Sequence, residues 1–285
     1  MGNIKVSVVI TTKNAQKHIG DCLASIRSQI FNRSEIEIIV VDNNSNDKTK
    51  SIAYQFTDKV YNIGPERSAQ RNFGISHAQG EYVLYLDVDM TLSRNVISEC
   101  VSKIRTNDLA ALYIPEIIVG KGFWINVRNF ERSFYNATVI DCVRFIKKDI
   151  FIETKGFDEN LTGPEDWDFD RRINQIGRTA IINSPIYHNE GKFNLKNYLI
   201  KKSYYSKTFE KYVLKWGKND RIVKKQLGFS YRFLGVFVEK GKWKKLISKP
   251  ALACGMYFLR FLVGVTFFIV IIGKNPLKNK GNIYE

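Results

Sequence analysis

Histidine and cysteine are scarce in this 285-residue chain, at three and four residues. Cys22, Cys100, Cys142 and Cys254 make no Cys-x-x-Cys pair and have no His cluster beside them. That argues against a zinc site or a disulfide framework and leads us to expect a reducing, cytosolic setting. No Gly-x-Gly-x-x-Gly follows the first strand-like run, and no Gly-x-x-x-x-Gly-Lys-Ser/Thr occurs anywhere. Dinucleotide-dependent dehydrogenases and P-loop nucleotidases are disfavoured accordingly. The first apolar run, Val6–Ile10, is too short for a signal peptide and passes directly into polar Thr11–Asn14, so export is not expected. Internal repeats are not visible. With 44% apolar and 13% aromatic residues, disorder of the whole chain is excluded.

Acidic residues are missing chiefly from one region. Met1–Gly191 holds 23 basic and 24 acidic residues, whereas Lys192–Glu285 holds 21 basic and 4 acidic. The final third therefore carries the whole net charge of +16, which implies a polyanionic surface engaged by that region alone. Lys192–Lys225 interleaves Lys with Tyr198, Tyr204, Tyr205, Phe209, Tyr212 and Trp216. Such a mixture suits single-stranded nucleic acid or the headgroups of an anionic bilayer.

The C-terminal residues favour the bilayer. Ala251–Gly273 is a 23-residue apolar stretch whose only charge is Arg260, long enough to cross a hydrocarbon core. Lys240, Lys242, Lys244, Lys245 and Lys249 precede it, and Lys274, Lys278 and Lys280 lie beyond it. We expect a transmembrane or in-plane helix, anionic membrane lipids as partners and no nucleic acid. The larger cluster on the N-terminal side puts the preceding residues on the cytoplasmic face of the cell membrane. Leu227–Val238 is too short to span and reads as an interfacial segment or a packed core helix.

Upstream, strand-like and helical patterns alternate. Lys5–Thr11, Glu37–Asp42 and Tyr82–Asp87 read as buried strands; His18–Gln29, Asp47–Phe56 and Ser68–His77 read as helices. Apolar strands separated by helices predict an α/β fold with a mostly parallel sheet covered on both faces. Ligands of such sheets bind beyond the carboxyl ends of the strands. Two strands end in aspartate there, Asp42 and Asp87.

Three groups carry chemistry. Asp87-Val88-Asp89, at the end of an apolar strand, offers two carboxylates to a hard divalent cation and a ribose. Gly163-Pro164-Glu165-Asp166-Trp167-Asp168-Phe169-Asp170 predicts a helix starting near Glu165. Its four acids exceed what capping needs, so one is a candidate general base. His188 lies in a polar loop, either as a structural residue or completing a metal site.

The order SVVITTKN, IIVVDNNSND, RSAQRNFG, YVLYLDVDM and PEDWDFDRRI resembles the inverting family 2 glycosyltransferases, over roughly Ile4 to His188. The resemblance implies the Rossmann-like GT-A fold, a nucleotide-sugar donor and a Mg²⁺ or Mn²⁺ cofactor. Thr11, Thr12 and Asp42 would hold base and ribose, and Arg71 would lie near the base or diphosphate. Asp87 would contact ribose and metal, and Asp89 would ligate the metal directly. His188 would add a metal or diphosphate contact. Asp166 would be the catalytic base, with Glu165 next in line. No Gln-x-x-Arg-Trp motif of processive synthases is present, and the DVDMTLSRN segment departs from polyprenyl-phosphate mannose and glucose synthases.

A lipid-linked or surface-glycan acceptor is the leading expectation, with a polyprenyl-phosphate glycosyltransferase as the alternative. A non-catalytic membrane-associated or basic-tailed nucleic-acid-binding protein is the alternative of another class. The expected division is a catalytic domain over 1–191, a basic aromatic helical region over 192–250, a membrane helix over 251–273 and a basic tail over 274–285. Gly120–Asn136, with Trp124, Phe130 and Phe134, reads as a specificity loop.

Overall fold

The computed structural model describes residues 4–272, with side chains to residue 267. Gly273, Lys274, Lys278 and Lys280 of the expected membrane segment and tail lie outside the described residues. Ten strands occur in chain order: β1 (Val6–Thr12), β2 (Ile36–Asp42), β3 (Val60–Asn62), β4 (Tyr82–Asp87), β5 (Met90–Leu92), β6 (Ala111–Tyr113), β7 (Glu116–Lys121), β8 (Phe145–Lys147), β9 (Thr179–Ile181) and β10 (Ile186–Lys192). Seven of them form one sheet in the order β3-β2-β1-β4-β8-β6-β9. The first four run parallel, as the sequence predicts, and β8 is antiparallel to both its neighbours.

The period of the strands explains the two-sided core. Val8 and Ile10 face one way with Ile38, Val40, Leu84 and Leu86. Val9 faces the other way with Ile39, Val41, Val83 and Tyr85. Alternate residues of each apolar strand thus feed separate helical layers, and each fully buried Val, Leu or Ile contributes roughly 1.5–3 kcal/mol. All three strands and all four helices named from sequence occur, with ends shifted by a few residues. One helix sits unusually low. A Cβ on Gly74 would overlap Val9 Cγ1, so only glycine lets the Arg67–Ser76 helix settle on β1 and β2.

β5, β10 and β7 form a second sheet, with β10 antiparallel to β5 and parallel to β7. The described residues after β10 are largely helical and pack back onto the α/β core. Tyr212 and Val223 are buried with Leu161 and Trp167, and the Tyr204 hydroxyl donates to Glu66 at 2.5 Å.

Gly120–Asn136 differs from the loop expected of it. Phe123–Arg132 is a helix, and Phe130 and Phe134 are buried in a cluster with Val236, Phe237, Met256 and Leu259. Its aromatics pack the C-terminal helix Pro250–Ile272 rather than a solvent-facing cleft. Within Leu227–Val238, Val236 and Phe237 are in that core, as a packed helix requires, while Phe229 and Leu234 are exposed. Pro250–Phe267 is long and apolar enough to cross a membrane, with about a fifth of it (22%) buried in the protein. All four cysteines are free thiols.

Candidate active site

The parallel strands bring the expected donor residues to one edge. In the register of the sheet Thr12 lies beside Asp42 and Thr11 beside Asp87. Asp42 is buried and accepts from the backbone N–H of Ser45 at 2.7 Å and from its hydroxyl at 2.5 Å. Those bonds fix the turn that leaves β2. Gln70, from the Arg67–Ser76 helix, donates to the Val41 carbonyl at 2.7 Å and to the Thr12 carbonyl at 3.2 Å. Thr12 Oγ1 is buried without a protein partner among the described residues.

Arg71 has no exposed surface. Its Nη1 donates to Asp166 Oδ1 at 2.7 Å and its Nη2 to Asp87 Oδ1 at 2.9 Å. The guanidinium carbon lies 4.8 Å from the Tyr85 ring centre and 5.1 Å from that of Phe157. Aromatic faces and two carboxylates replace its hydration. Burial by itself would raise the Asp87 carboxyl, but Arg71, then Arg67 and Arg144, hold it well below the usual carboxylate range.

The helix Glu165–Ile176 begins where the Gly163-Pro164 break places it. Gly163 has φ +107°, and a Cβ there would overlap the Tyr205 carbonyl. This close approach sets the Leu195–Ser206 helix across the site. The four acids then separate by environment. Asp166 is 30% exposed. Glu165 is buried and bonded by Arg67 at 3.1 Å and by the Gly163 N–H; burial first, then the adjacent Asp166 charge, push its carboxyl up. Asp168 is closed off by Trp216, Lys215 and Arg172 at 2.8, 2.9 and 2.8 Å. Asp170 receives the Tyr113 hydroxyl at 3.0 Å and the Val143 N–H at 3.1 Å. Of the four, Asp166 is the carboxylate open to a substrate.

His188 arrives through the small sheet. Its Nε2 is 3.2 Å from Asp89 Oδ2, and its Nδ1 is 2.8 Å from Glu116 Oε1. Burial disfavours the charged ring, but the two carboxylates outweigh burial and push the imidazole up to about 10. Each ring nitrogen of His188 thus faces a carboxylate. Arg132 and Arg144 brace Glu116 from behind at 3.4 and 3.6 Å.

A divalent cation finds a partial donor set here. Among the described residues no group of three or more His, Cys, Asp and Glu forms a cage. Asp87, Asp89 and His188 do not converge on one point, because Asp87 is turned to arginines and His188 to carboxylates. Asp89 Oδ1, however, is buried without a partner. One or two carboxylates completed by substrate phosphate oxygens is the ordinary way a protein holds Mg²⁺, so the residues fit that arrangement.

Arg67, Glu116, Arg132, Arg144 and Lys201 also belong to this site and escaped the sequence reading. Arg67 stood inside the RSAQRNFG segment and was legible. Lys201, exposed on the helix across the cleft, has its ammonium pushed up by Tyr205 first and then by the Asp89 and Asp87 charges. No local pattern marked it or Glu116.

Residues 7–157 match Glycosyl transferase family 2. The poly(ribitol-phosphate) beta-glucosyltransferase of Bacillus spizizenii is 30% identical over 145 residues, covering 47% of this chain and 22% of that protein. The GalNAc(5)-diNAcBac-PP-undecaprenol beta-1,3-glucosyltransferase of Campylobacter jejuni is 34% identical over 182 residues, covering 56% of this chain and 57% of its own. Among solved structures, the Pyrobaculum calidifontis mannosyltransferase PcManGT with GDP-Man and Mn²⁺ superposes with TM-score 0.61 at 19% identity, over 97% of this chain and 88% of that one. TarS 1–349 of S. aureus with UDP-GlcNAc gives 0.58 at 19% identity, over 86% and 79%. Sheet order, strand-end aspartates and family match agree: the chain belongs to glycosyl transferase family 2 and has the GT-A fold.

Proposed function

We propose that this enzyme moves one sugar, with inversion, from a nucleotide-sugar donor to a lipid-linked or surface-glycan acceptor held at a membrane. The observation that carries the reading is the shared guanidinium of Arg71, which ties Asp87 to Asp166 at 2.9 and 2.7 Å. A donor-binding carboxylate and a solvent-reachable base are thus set at a fixed separation by one buried cation, which is what a single in-line displacement requires.

The roles derive from the surroundings of each residue. Thr11, Thr12 and Asp42 receive the nucleoside at the strand ends, and Asp87 takes the ribose. Asp89 holds the cation. Bound there, Mg²⁺ or Mn²⁺ supplies positive charge against which the diphosphate departs. His188 keeps Asp89 aimed, and Lys201 offers its charge to the diphosphate from the helix across the cleft. Asp166 removes the proton of the acceptor hydroxyl as that oxygen attacks the anomeric carbon. Arg71 has no surface for the donor and acts as a positioning residue. Glu165, buried against Arg67, supports the first turn of the helix and leaves the proton transfer to Asp166.

The membrane part rests on the basic helices after Lys192 and on the apolar Pro250–Phe267, with the catalytic region on the cytoplasmic side of the cell membrane and anionic lipids beneath it. The Campylobacter relative's name specifies a PP-undecaprenol acceptor, and the Bacillus relative's a poly(ribitol-phosphate). The full chain titrated with UDP-, GDP- and dTDP-sugars, with and without Mn²⁺, tests the reading. Metal-dependent binding of one donor and transfer to a glycolipid extract support it. Failure of every donor to bind removes it.

A further inference from the structure

A second charged cluster lies between the catalytic cleft and the apolar helix. Arg128, Lys202, Arg232 and Arg260 gather there, and the two carboxylates, Glu131 and Glu190, pair with Arg128 and Arg260. Arg128 takes Glu190 at 3.0 Å and Glu131 at 2.9 Å. Arg260 takes the other Glu131 oxygen at 2.7 Å, beside the Tyr135 hydroxyl at 2.5 Å. Lys202 and Arg232 are left without a carboxylate among the described residues. Their neighbours are aromatic: Lys202 lies 5.4 Å from the Tyr198 ring centre, and Arg232 lies 5.9 and 5.7 Å from those of Tyr135 and Trp167.

We propose that Lys202 and Arg232 form an anion site that takes the phosphate of a lipid-linked acceptor and sets its sugar at Asp166. The inference rests on the membrane-held acceptor proposed for this enzyme and names where that acceptor is gripped. Two cations left without carboxylates, half-buried on aromatic faces, are costly unless an anion joins them. Burial first, then the Arg128 and Arg232 charges, bring the Lys202 ammonium down to about 7 against the pull of Glu131, a cost that an arriving phosphate relieves.

Both ends of the site point to one occupant. Toward the α/β core, Arg232 lies 5.7 Å from the ring centre of Trp167, which belongs to the helix that carries Asp166. Toward the membrane, the Arg232 carbonyl accepts from Arg260 of the apolar helix, and Phe233 lies against Gly264 of the same helix. Phe258, Phe261 and Val265 continue that helix as exposed apolar surface. A phosphate held between the helix that carries Asp166 and an exposed apolar helix fits the head group of a lipid carrier.

The test uses the full chain in neutral phosphatidylcholine nanodiscs, with farnesyl diphosphate, farnesol and inorganic pyrophosphate as probes. The wild type is expected to bind farnesyl diphosphate at least tenfold more tightly than either other probe. Lys202→Gln with Arg232→Gln should lose that preference tenfold or more, Lys202→Arg should keep it, and nucleoside diphosphate binding should be unchanged in all. If the double variant unfolds, Lys202→Gln alone carries the same expectation with a loss of threefold or more.

Loss within twofold, or equal binding of farnesol, overturns the anion site. Equal binding of pyrophosphate overturns the lipid assignment. Nucleotide-sugar binding on the same samples reports on the donor reading separately, so either conclusion fails without the other.

Discussion

Arg260, the single charge in the apolar C-terminal helix, donates to Glu131 at 2.7 Å, and both side chains are about 95% buried. This pair ties the C-terminal helix to the Phe123–Arg132 helix. A buried pair is expensive to break from one side, because the remaining charge has no water. Arg260→Met should therefore lower stability by about 3–5 kcal/mol. Replacing Glu131 with Leu as well should recover part of that loss. Thermal unfolding in one detergent, at one pH, measures both.

The same pair predicts acid sensitivity. Burial raises the Glu131 carboxyl, but Arg260 and then Arg128 hold it down to about 2. An unfolded glutamate titrates near ~4.3, so the folded value is depressed. The stabilisation is complete above ~4.3 and is lost as pH falls through about 2. Stability of the wild type measured from pH 5 to 2 should fall more steeply than that of Glu131→Gln. Parallel curves would refute the assignment.

Asp166→Asn should leave donor binding intact and reduce transfer by roughly 10²–10⁴-fold, the usual contribution of a positioned base. Arg71→Met should reduce both, because Asp87 and Asp166 lose the cation that separates them. Donor affinity measured beside single-turnover transfer distinguishes the two variants. Near-normal turnover of Asp166→Asn would move the base to another residue.

Removal of the metal should stop transfer, and excess Mn²⁺ should restore it. Asp89→Asn should raise the Mn²⁺ concentration needed for half-activity by tenfold or more, since Asp89 Oδ1 is the unpartnered carboxylate oxygen at the site. Full activity in chelator would refute metal dependence.

Binding to vesicles rich in anionic lipid should weaken with salt, each Lys near the surface contributing about 1 kcal/mol. Lys244→Glu with Lys249→Glu should therefore lower vesicle affinity by at least tenfold without changing donor binding. Trp243 and Ile247, exposed on the same short helix, should carry the salt-insensitive remainder. Deleting the whole apolar helix is a poorer probe, because Met256 and Leu259 belong to the core.

The apolar runs alone determined the three central strands, because side chains of period two on a two-sided sheet must be apolar at nearly every position. The Gly-Pro break fixed the start of the Asp166 helix, and Asp42 and Asp87 marked the strand-end edge where the candidate site gathers. Tertiary structure decided the rest. His188 and Asp89 stand 99 residues apart and meet only when β10 pairs with β5. The motif placed Arg71 near the base or diphosphate, but only Gly74, which lowers its helix onto β1, closes the guanidinium between two carboxylates. Arg260 and Glu131 are separated by 129 residues, so no periodicity couples them. Local pattern records what each segment must bury. Which charges then share one buried space depends on how the chain closes, and only the folded contacts hold that information.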